Sequence, residues 1–150
     1  DGLTSDKNES SVVLFGRLPN NFDVLLTADA GLIGLNKAYD YALANGVDLK
    51  ICKFIQMPHH GGRRNVSPSL LDKLLGPKLP ENSNPTKTAF VNTSKDCPEH
   101  PKKSVSNAFI RRGVKVIATN GQTKCKHWGY PARSGWVSVT PLPFFNQVEE

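Results

Sequence analysis

The sequence predicts an α/β domain, in which a mixed sheet carries helices packed on it. Apolar runs of strand length alternate with stretches of helical periodicity, and Pro, Gly and Asn separate them. This alternation is typical of α/β sheets. The length of 150 residues is about one domain's worth, so we expect a single domain over residues 1–150. No apolar run approaches the roughly 20 residues of a membrane-spanning helix, which excludes such a segment.

The first half predicts a strand pair, a helix and a further strand. Residues 10–18 and 22–27 are expected to be strands joined by a turn at Pro19–Asn21. A helix over 32–45 follows, and a strand is expected at 50–57. The predicted apolar face of the helix consists of Leu32, Leu35, Tyr39, Ala42 and Leu43.

In the second half a helix begins at Ser67-Pro68, an N-cap followed by Pro at the first helical position, and ends at Gly76-Pro77. The remaining predicted elements are an exposed loop at 78–86, a strand at 86–92, a helix near 102–112, a strand at 114–119, an irregular segment at 121–133 and a strand at 134–140.

Charge and cysteine content indicate the kind of partner and compartment. The net charge is +6, and residues 76–150 carry eleven Lys and Arg against five Asp and Glu. A basic surface favours an anionic partner such as nucleic acid or a phosphodiester, although a merely solvated surface is the alternative. Three cysteines are too few for a disulfide scaffold. They predict a reducing compartment and thus a cytoplasmic protein.

Polar side chains follow three successive predicted strands. Asp29 follows the strand at 22–27, His59 and His60 follow the next strand, and His100 lies in the loop after the third. The carboxyl ends of parallel strands meet at one edge, where α/β sheets bind ligands. Carboxylate and imidazole suit Zn, Mn or Fe. Asp29 alone has a simpler reading as a helix N-cap. Adjacent histidines in an extended chain point in opposite directions, so at most one of them faces a metal.

Other residues near these positions offer further chemistry. Arg63 and Arg64 follow the histidines and are candidates for phosphate contact, or else solvated loop residues. The aromatic and basic residues of 127–133 suit base stacking, but a loop held by its aromatics is the simpler interpretation. Cys52 is expected to be a small core residue. An alternative structural zinc site consists of Cys97, His100, Cys125 and His127.

The order of these motifs matches a known family. The chain contains NESSVVLFG, then DVLLTADAG, a helix, ICKFIQMPHHGG and the His-Pro of PEHPKKSV. It resembles the C-terminal half of a metallo-β-lactamase-fold hydrolase, closest to the ComEC-type branch of competence DNA uptake. That branch has an N-S-S strand before T-G-D-A, then V-P-H-H-G-S and a later His-Pro. The likeness covers roughly residues 8–140, with TADA for TGDA and GG for GS.

The resemblance implies half of an αββα sandwich and a role for each matching position. Asp29 corresponds to the aspartate that bridges two divalent metal ions, expected to be zinc, and His60 to the later ligand histidine. His59 lies beside the site, toward substrate or leaving group, and His100 lies near the mouth of the site. The Asn8-to-Ser11 region stands where many superfamily members place another ligand histidine, which this branch lacks.

The family's first ligand motif, H-x-H-x-D-H or H-x-D-x-D-H, does not occur in this sequence. We therefore expect a fragment of a longer chain, whose partner is the N-terminal half of the same fold. We expect a metal-dependent hydrolase of phosphodiesters or nucleic acids whose metal site is incomplete in this chain, so that the chain alone is inactive. Two ions are expected in the complete enzyme, and the prediction leaves open whether this chain alone holds any. The alternatives are a basic nucleic-acid-binding module and a zinc-stabilised interaction domain. A half-fold exposes sheet surface, which also predicts a homo-oligomer.

Overall fold

A computed structural model describes residues 3–149, so the outermost residues of the predicted 1–150 domain lie outside it. The described part is α/β, with five strands and four helices connected by loops and short 3₁₀ turns. In chain order the elements are α1 (Asp6–Glu9), β1 (Leu14–Leu18), β2 (Phe22–Leu26), α2 (Leu32–Ala44), β3 (Phe54–Gln56), α3 (Pro68–Leu75), β4 (Lys87–Val91), α4 (Lys103–Ile110) and β5 (Val114–Ala118).

The strands form a mixed sheet whose spatial order follows the chain order, β1 to β5. Strands β1 and β2 are an antiparallel pair, as the predicted turn requires, and β2 to β5 are parallel. The four parallel strands therefore end at the same edge. That edge carries the loops in which the predicted site residues lie.

One face of the sheet is covered by helices α2, α3 and α4. Alternate strand residues such as Leu25, Ile55 and Val116 are almost fully buried there. Helix α3 begins as predicted, because the Ser67 hydroxyl accepts a hydrogen bond from the Leu70 amide. Its four leucines then pack into the core. The core thus lies between the sheet and the helices.

The opposite face carries aromatic side chains. Phe54 lies between Phe22 and Phe90, with ring centroids 6.5 and 4.9 Å away. Trp128 stacks on Phe22 at 5.3 Å, and its indole N–H donates to the Asn20 carbonyl. The segment after β5 therefore crosses part of this face and is held there by its tryptophan. This agrees with the simpler interpretation of the aromatic residues in 127–133.

Three predicted strands differ from the structure, and the first, expected at 10–18, begins only at Leu14. Residues 134–140 form no strand: all of them are exposed. Their alternating pattern pairs with neither edge strand, and at the outer edge of β5 the Val116 carbonyl accepts a hydrogen bond from the Leu142 amide instead. The strand expected at 50–57 is reduced to β3, because a 3₁₀ turn at Leu49–Ile51 precedes it. Cys52 is buried as expected, just after this turn rather than within a strand.

The segment after Leu142 packs on α4. Phe145 and Asn107 exchange hydrogen bonds, with the Phe145 amide donating to Oδ1 and Nδ2 donating to the Phe145 carbonyl. Glu149 accepts hydrogen bonds from the first two amides of α4, those of Lys103 and Ser104. The carboxylate thus satisfies amides that the helix leaves unpaired.

Candidate functional site

Asp29 and His60 lie together at the carboxyl edge of the sheet, in the loops after β2 and β3. The distance from His60 Nε2 to Asp29 Oδ1 is 3.8 Å. Both side chains are close to half exposed, so solvent reaches the pair. Two ligand atoms that each bind one metal ion at about 2 Å are separated by no more than about 4 Å. An oxygen and an imidazole nitrogen at this separation fit a shared divalent cation.

His59 lies in the same group, contrary to the expectation that the two histidines point apart. Its Nδ1 is 3.6 Å from Asp29 Oδ1, and the two imidazole rings are 5.7 Å apart. The expectation assumed an extended chain, but the backbone turns sharply at Pro58–Gly61. Both histidines have left-handed backbone angles there, so alternation of side chains does not apply.

Strained backbone is concentrated at this point of the molecule. Seven non-glycine residues in the described range 3–149 have positive φ, and four of them are asparagines, which tolerate it. The other three are Ala28, His59 and His60, at φ of 45°, 44° and 54°. Each such conformation costs on the order of 1–3 kcal/mol and persists only where the surroundings enforce it. Packing elsewhere in the fold therefore holds the Asp29 and histidine loops in this arrangement.

Two amide side chains hold the Asp29 loop. Gln56 Oε1 accepts hydrogen bonds from the amides of Thr27 and Ala28, at 3.2 and 3.1 Å. Asn65 is 1% exposed, and its Nδ2 donates to the carbonyls of Asp29 and Ala30 at 3.1 and 3.2 Å. The loop is thereby tied to β3 on one side and to the segment after the histidines on the other.

Asp29 is not the N-cap of α2, which was its simpler interpretation. The cap position is Gly31, and no side chain of its own caps the helix. Instead Glu9 reaches from α1, and its Oε2 accepts a hydrogen bond from the Gly34 amide at 2.7 Å. A Cβ on Gly31 would overlap the Glu9 carboxylate, so glycine is needed for this contact. The carboxylate of Asp29 is left facing the histidines.

A backbone carbonyl orients His60. Its Nδ1 lies 2.7 Å from the Asn92 carbonyl, which has no proton to give, so Nδ1 is the donor. In the neutral ring Nε2 then carries a lone pair, and this is the nitrogen that faces Asp29. Metal-binding histidines are commonly held in this way, with the second nitrogen donating to a carbonyl.

His59 has a different partner on the N-terminal segment. Asn8 Nδ2 lies 3.3 Å from His59 Nδ1 and also donates to Thr4 Oγ1 at 2.8 Å. The amide therefore makes Nδ1 the acceptor and places the proton of the neutral ring on Nε2. The two adjacent histidines thus differ in their hydrogen bonding.

His100 borders a cavity beside this group. The cavity has a volume of about 340 Å³, and the side chains of His59, Arg63 and Arg64 also line it. Burial is the main reason that the pKa of His100 is lowered, and the positive charge of Lys102 adds to it. Its Nδ1 is buried without a hydrogen-bond partner among the described residues. The structure therefore places all of the predicted catalytic and substrate-contacting residues around one cavity.

The residues of the alternative zinc site are not assembled. Cys97 and Cys125 are exposed free thiols, and His127 Nδ1 faces the Tyr130 carbonyl at 3.2 Å. Within residues 3–149, no group of three or more His, Cys, Asp and Glu side chains is arranged to hold a metal ion. Asp29 and His60 supply two ligands where zinc sites use three or four protein side chains. Any metal here needs ligands from elsewhere.

The residues that sequence reasoning missed support the site rather than belong to its motifs. No local sequence pattern marks Gln56, Asn65 or Lys102. The first two form hydrogen bonds with residues more than 25 positions away, and Lys102 lines the cavity. Asn92 contributes only its backbone carbonyl, which no side-chain pattern reveals.

No protein-family model, curated protein or solved structure matches this chain. Among the described residues, no helix is long and apolar enough to cross a membrane.

Proposed function

We propose that this chain contributes Asp29 and His60 to the divalent-metal site of a hydrolase that acts on phosphodiesters or nucleic acid. The observation that carries the proposal is the Asp29–His60 pair, in which a carbonyl orients the imidazole toward a carboxylate that caps no helix. The order of motifs that resembles the metallo-β-lactamase superfamily supports the same assignment.

Each side chain has a role in this proposal. Asp29 and His60 hold the cation, and their oxygen and nitrogen donors suit Zn²⁺. A bound cation of this kind supplies activation of water and polarisation of a phosphoryl oxygen. His59 exchanges a proton with the substrate or leaving group through Nε2, for which an imidazole is suited near neutral pH. Arg63 and Arg64 attract the anionic substrate.

The remaining ligands come, in this proposal, from the N-terminal half of a metallo-β-lactamase-like αββα sandwich, outside this chain. The aromatic face of the sheet supports this. Leu14 and Leu26 pair across β1 and β2 on that face and are 56% and 39% exposed. A second sheet packing there would bury them, as sheets do in a sandwich. Self-association through the same face is the alternative occupant.

Metal titration of this chain tests the ligand assignment. We expect Zn²⁺ to bind weakly, as two ligands imply, and to lose that binding in Asp29→Ala and in His60→Ala. His59→Ala should retain it, because the hydrogen bonding places His59 Nδ1 toward Asn8. His127→Ala is the matched control, since it removes an exposed imidazole outside the site. Isothermal titration calorimetry measures the affinities, and circular dichroism confirms that each variant is folded.

The outcomes are distinct. If His59→Ala abolishes binding and His60→Ala does not, the two histidine roles must be exchanged. If the control loses as much binding as the Asp29 and His60 variants, the metal binds elsewhere and the proposal is wrong. A phosphodiester substrate is tested with this chain joined to the N-terminal half that the proposal requires, where His60→Ala should abolish hydrolysis of bis(p-nitrophenyl) phosphate.

A second candidate is a non-catalytic nucleic-acid-binding module, favoured by cations that lie over exposed aromatic rings. Lys126 lies 6.0 Å from the Trp128 ring and Arg133 lies 5.5 Å from the Trp136 ring. Such pairs are found where single strands stack on proteins. Single-stranded DNA binding that Trp136→Ala weakens, and that Asp29→Ala leaves unchanged, would favour this module over the hydrolase.

A further inference from the structure

Strand β1 forms an open edge of the sheet. It pairs with β2 on one side, and among residues 3–149 no other strand pairs with its outer side. An open edge offers a row of backbone N–H and C=O groups to a further strand. Two side chains of β1, Leu14 and Leu18, are 56% and 46% exposed. The edge therefore offers both hydrogen-bonding groups and apolar surface to a partner.

The sequence of β1 fits a second copy of the same strand. It reads Leu14-Phe15-Gly16-Arg17-Leu18, with a leucine at each end and a glycine at the centre. In an antiparallel pair related by a two-fold axis, Gly16 can face its own copy. Each Leu14 then faces a Leu18, and each Phe15 faces an Arg17. This is the only two-fold register in which all five residues of β1 pair.

We propose that two copies of this chain associate through β1, so that their five-stranded sheets join into one sheet of ten strands. Symmetric dimers that use the same surface of both subunits are the commonest protein oligomers. The proposal goes beyond the metal site and does not depend on it. It uses the edge of the sheet, so the aromatic face stays available to a second sheet.

The leucine pairs lie on the aromatic face. Leu14 pairs with Leu26, and Leu18 with Phe22, across β1 and β2, which places both leucines on that face. In the proposed register the two leucines of one copy meet the two of the other around the paired glycines. Directly opposed side chains are the main source of stabilisation between neighbouring strands. The dimer therefore buries leucines that a single chain leaves exposed.

The one charged residue of β1 also fits this register. A charge on an edge strand commonly prevents pairing. Here Arg17 faces the second copy's Phe15, and within one chain its guanidinium already lies 5.6 Å from the Phe15 ring. A cation over an aromatic ring is a favourable contact. The register in which Arg17 would face its own copy is disfavoured, because like charges directly opposite each other repel.

The helix-covered face offers a cavity beside β1. Its volume is about 590 Å³, and it lies between α2 and the outer part of the sheet. Val13 and Phe15 line it from the sheet, and Ala38 and Tyr41 line it from α2. A second β1 extends the sheet along the open side of this cavity. A stable interface buries roughly 1,200–2,000 Å² in total, so contact on both faces of the sheet adds to the pairing of five residues.

The dimer leaves both candidate metal sites open. The two copies run in opposite directions across the axis, so the carboxyl ends of their parallel strands lie at opposite edges of the joined sheet. The Asp29–His60 pair of one copy is therefore at the opposite edge from that of the other. Neither pair lies along the outer side of β1.

Exchange of the leucines for charges tests the interface and its register. Sedimentation velocity over a range of concentrations should show a monomer–dimer equilibrium. Leu14→Glu and Leu18→Lys should each weaken the dimer by roughly tenfold or more, because symmetry places a charge opposite a leucine twice. The double variant should recover most of this loss, because each introduced carboxylate then faces an introduced ammonium of the other copy.

The recovery reports contact between copies only. Positions 14 and 18 are four residues apart on one strand, about 13 Å, so the two introduced charges do not meet within one chain. Leu43→Lys is the matched control, since Leu43 is 52% exposed on α2 and does not line the cavity. It should change the dissociation constant by less than about twofold. Circular dichroism checks that each variant is folded.

The outcomes are decisive for the edge. A chain that is monomeric at every concentration overturns the proposal, and so does a dimer that either single variant leaves intact. A double variant that dimerises no better than the single variants also overturns it. Such a result places the contact on the aromatic face, where two charges are worse than one, or in another register.

Zn²⁺ titration separates this inference from the proposed function. Leu18→Lys should leave the Zn²⁺ affinity unchanged, because Leu18 is remote from the metal ligands along β1 and β2. Zn²⁺ binding that Asp29→Ala abolishes, in a chain that never dimerises, keeps the metal assignment and removes the dimer. A dimer that the double variant restores, in a chain that binds no Zn²⁺, does the reverse.

Discussion

Replacing Asn65 by alanine should destabilise the protein and loosen the loop that carries Asp29. Asn65 is 1% exposed and donates to the carbonyls of Asp29 and Ala30. Two neutral hydrogen bonds contribute about 1 kcal/mol each, and the buried Ala30 carbonyl would lose this donor. We expect the free energy of unfolding to fall by about 2–3 kcal/mol, a large part of the roughly 5–15 kcal/mol typical of a domain.

Urea unfolding followed by circular dichroism measures this change, and Asn45→Ala is the matched control. Asn45 also donates to a carbonyl, that of Tyr41 at 2.8 Å, but it is exposed at the end of α2. Its loss should cost less than about 0.5 kcal/mol. The reasoning is refuted if Asn65→Ala is no more destabilising than Asn45→Ala. It is also refuted if Asn65→Ala lowers the free energy of unfolding yet leaves the Zn²⁺ affinity unchanged, since the Asp29 loop would then not depend on Asn65.

Two further predictions concern titrating groups. Burial, and next the charge of Asp23, raise the pKa of Cys52 to about 12, so its thiolate is scarce at pH 8. Iodoacetamide should therefore modify two of the three thiols in the folded protein and all three in urea. Equal rates of modification for all three thiols in the folded protein would contradict this. Burial of Glu149 opposes its ionisation, but the α4 amides outweigh burial and lower its pKa. A carboxyl group whose pKa is lowered by folding stabilises the folded state at pH values above its unfolded pKa, and this stabilisation is lost as pH falls through the folded pKa. Glu149→Gln should therefore lower the free energy of unfolding by about 0.5 kcal/mol at pH 7 and by progressively less below pH 4.5. Urea unfolding at pH 7 and pH 3 measures the difference, and an equal cost at both values would show that the charge is not involved.

The pattern of strands and helices was predictable because most of it depends on local periodicity and caps. The apolar stripe of α3, its Ser67-Pro68 start and the β1–β2 turn are confirmed. Helix α2 is confirmed too, but Leu43 was wrongly placed on its apolar face, since it is 52% exposed. The strand at 134–140 was wrong because alternation alone does not provide a partner strand. Whether an alternating segment pairs depends on which edge is vacant and within reach. At β5 that edge is used by Leu142 instead.

The candidate site, too, could be predicted from the sequence only in part. The sequence by itself determined that Asp29, His60 and His100 follow successive strands, because parallel strands bring their carboxyl ends to one edge. Only the tertiary structure decided that His59 joins them, since strained backbone angles enforced by packing turn both imidazoles toward Asp29. The supports of the site depend on contacts between residues far apart in the chain. Glu9 caps α2 in place of Asp29, and a carbonyl after β4 orients His60. No local sequence pattern predicts either contact, because each joins residues far apart in the chain.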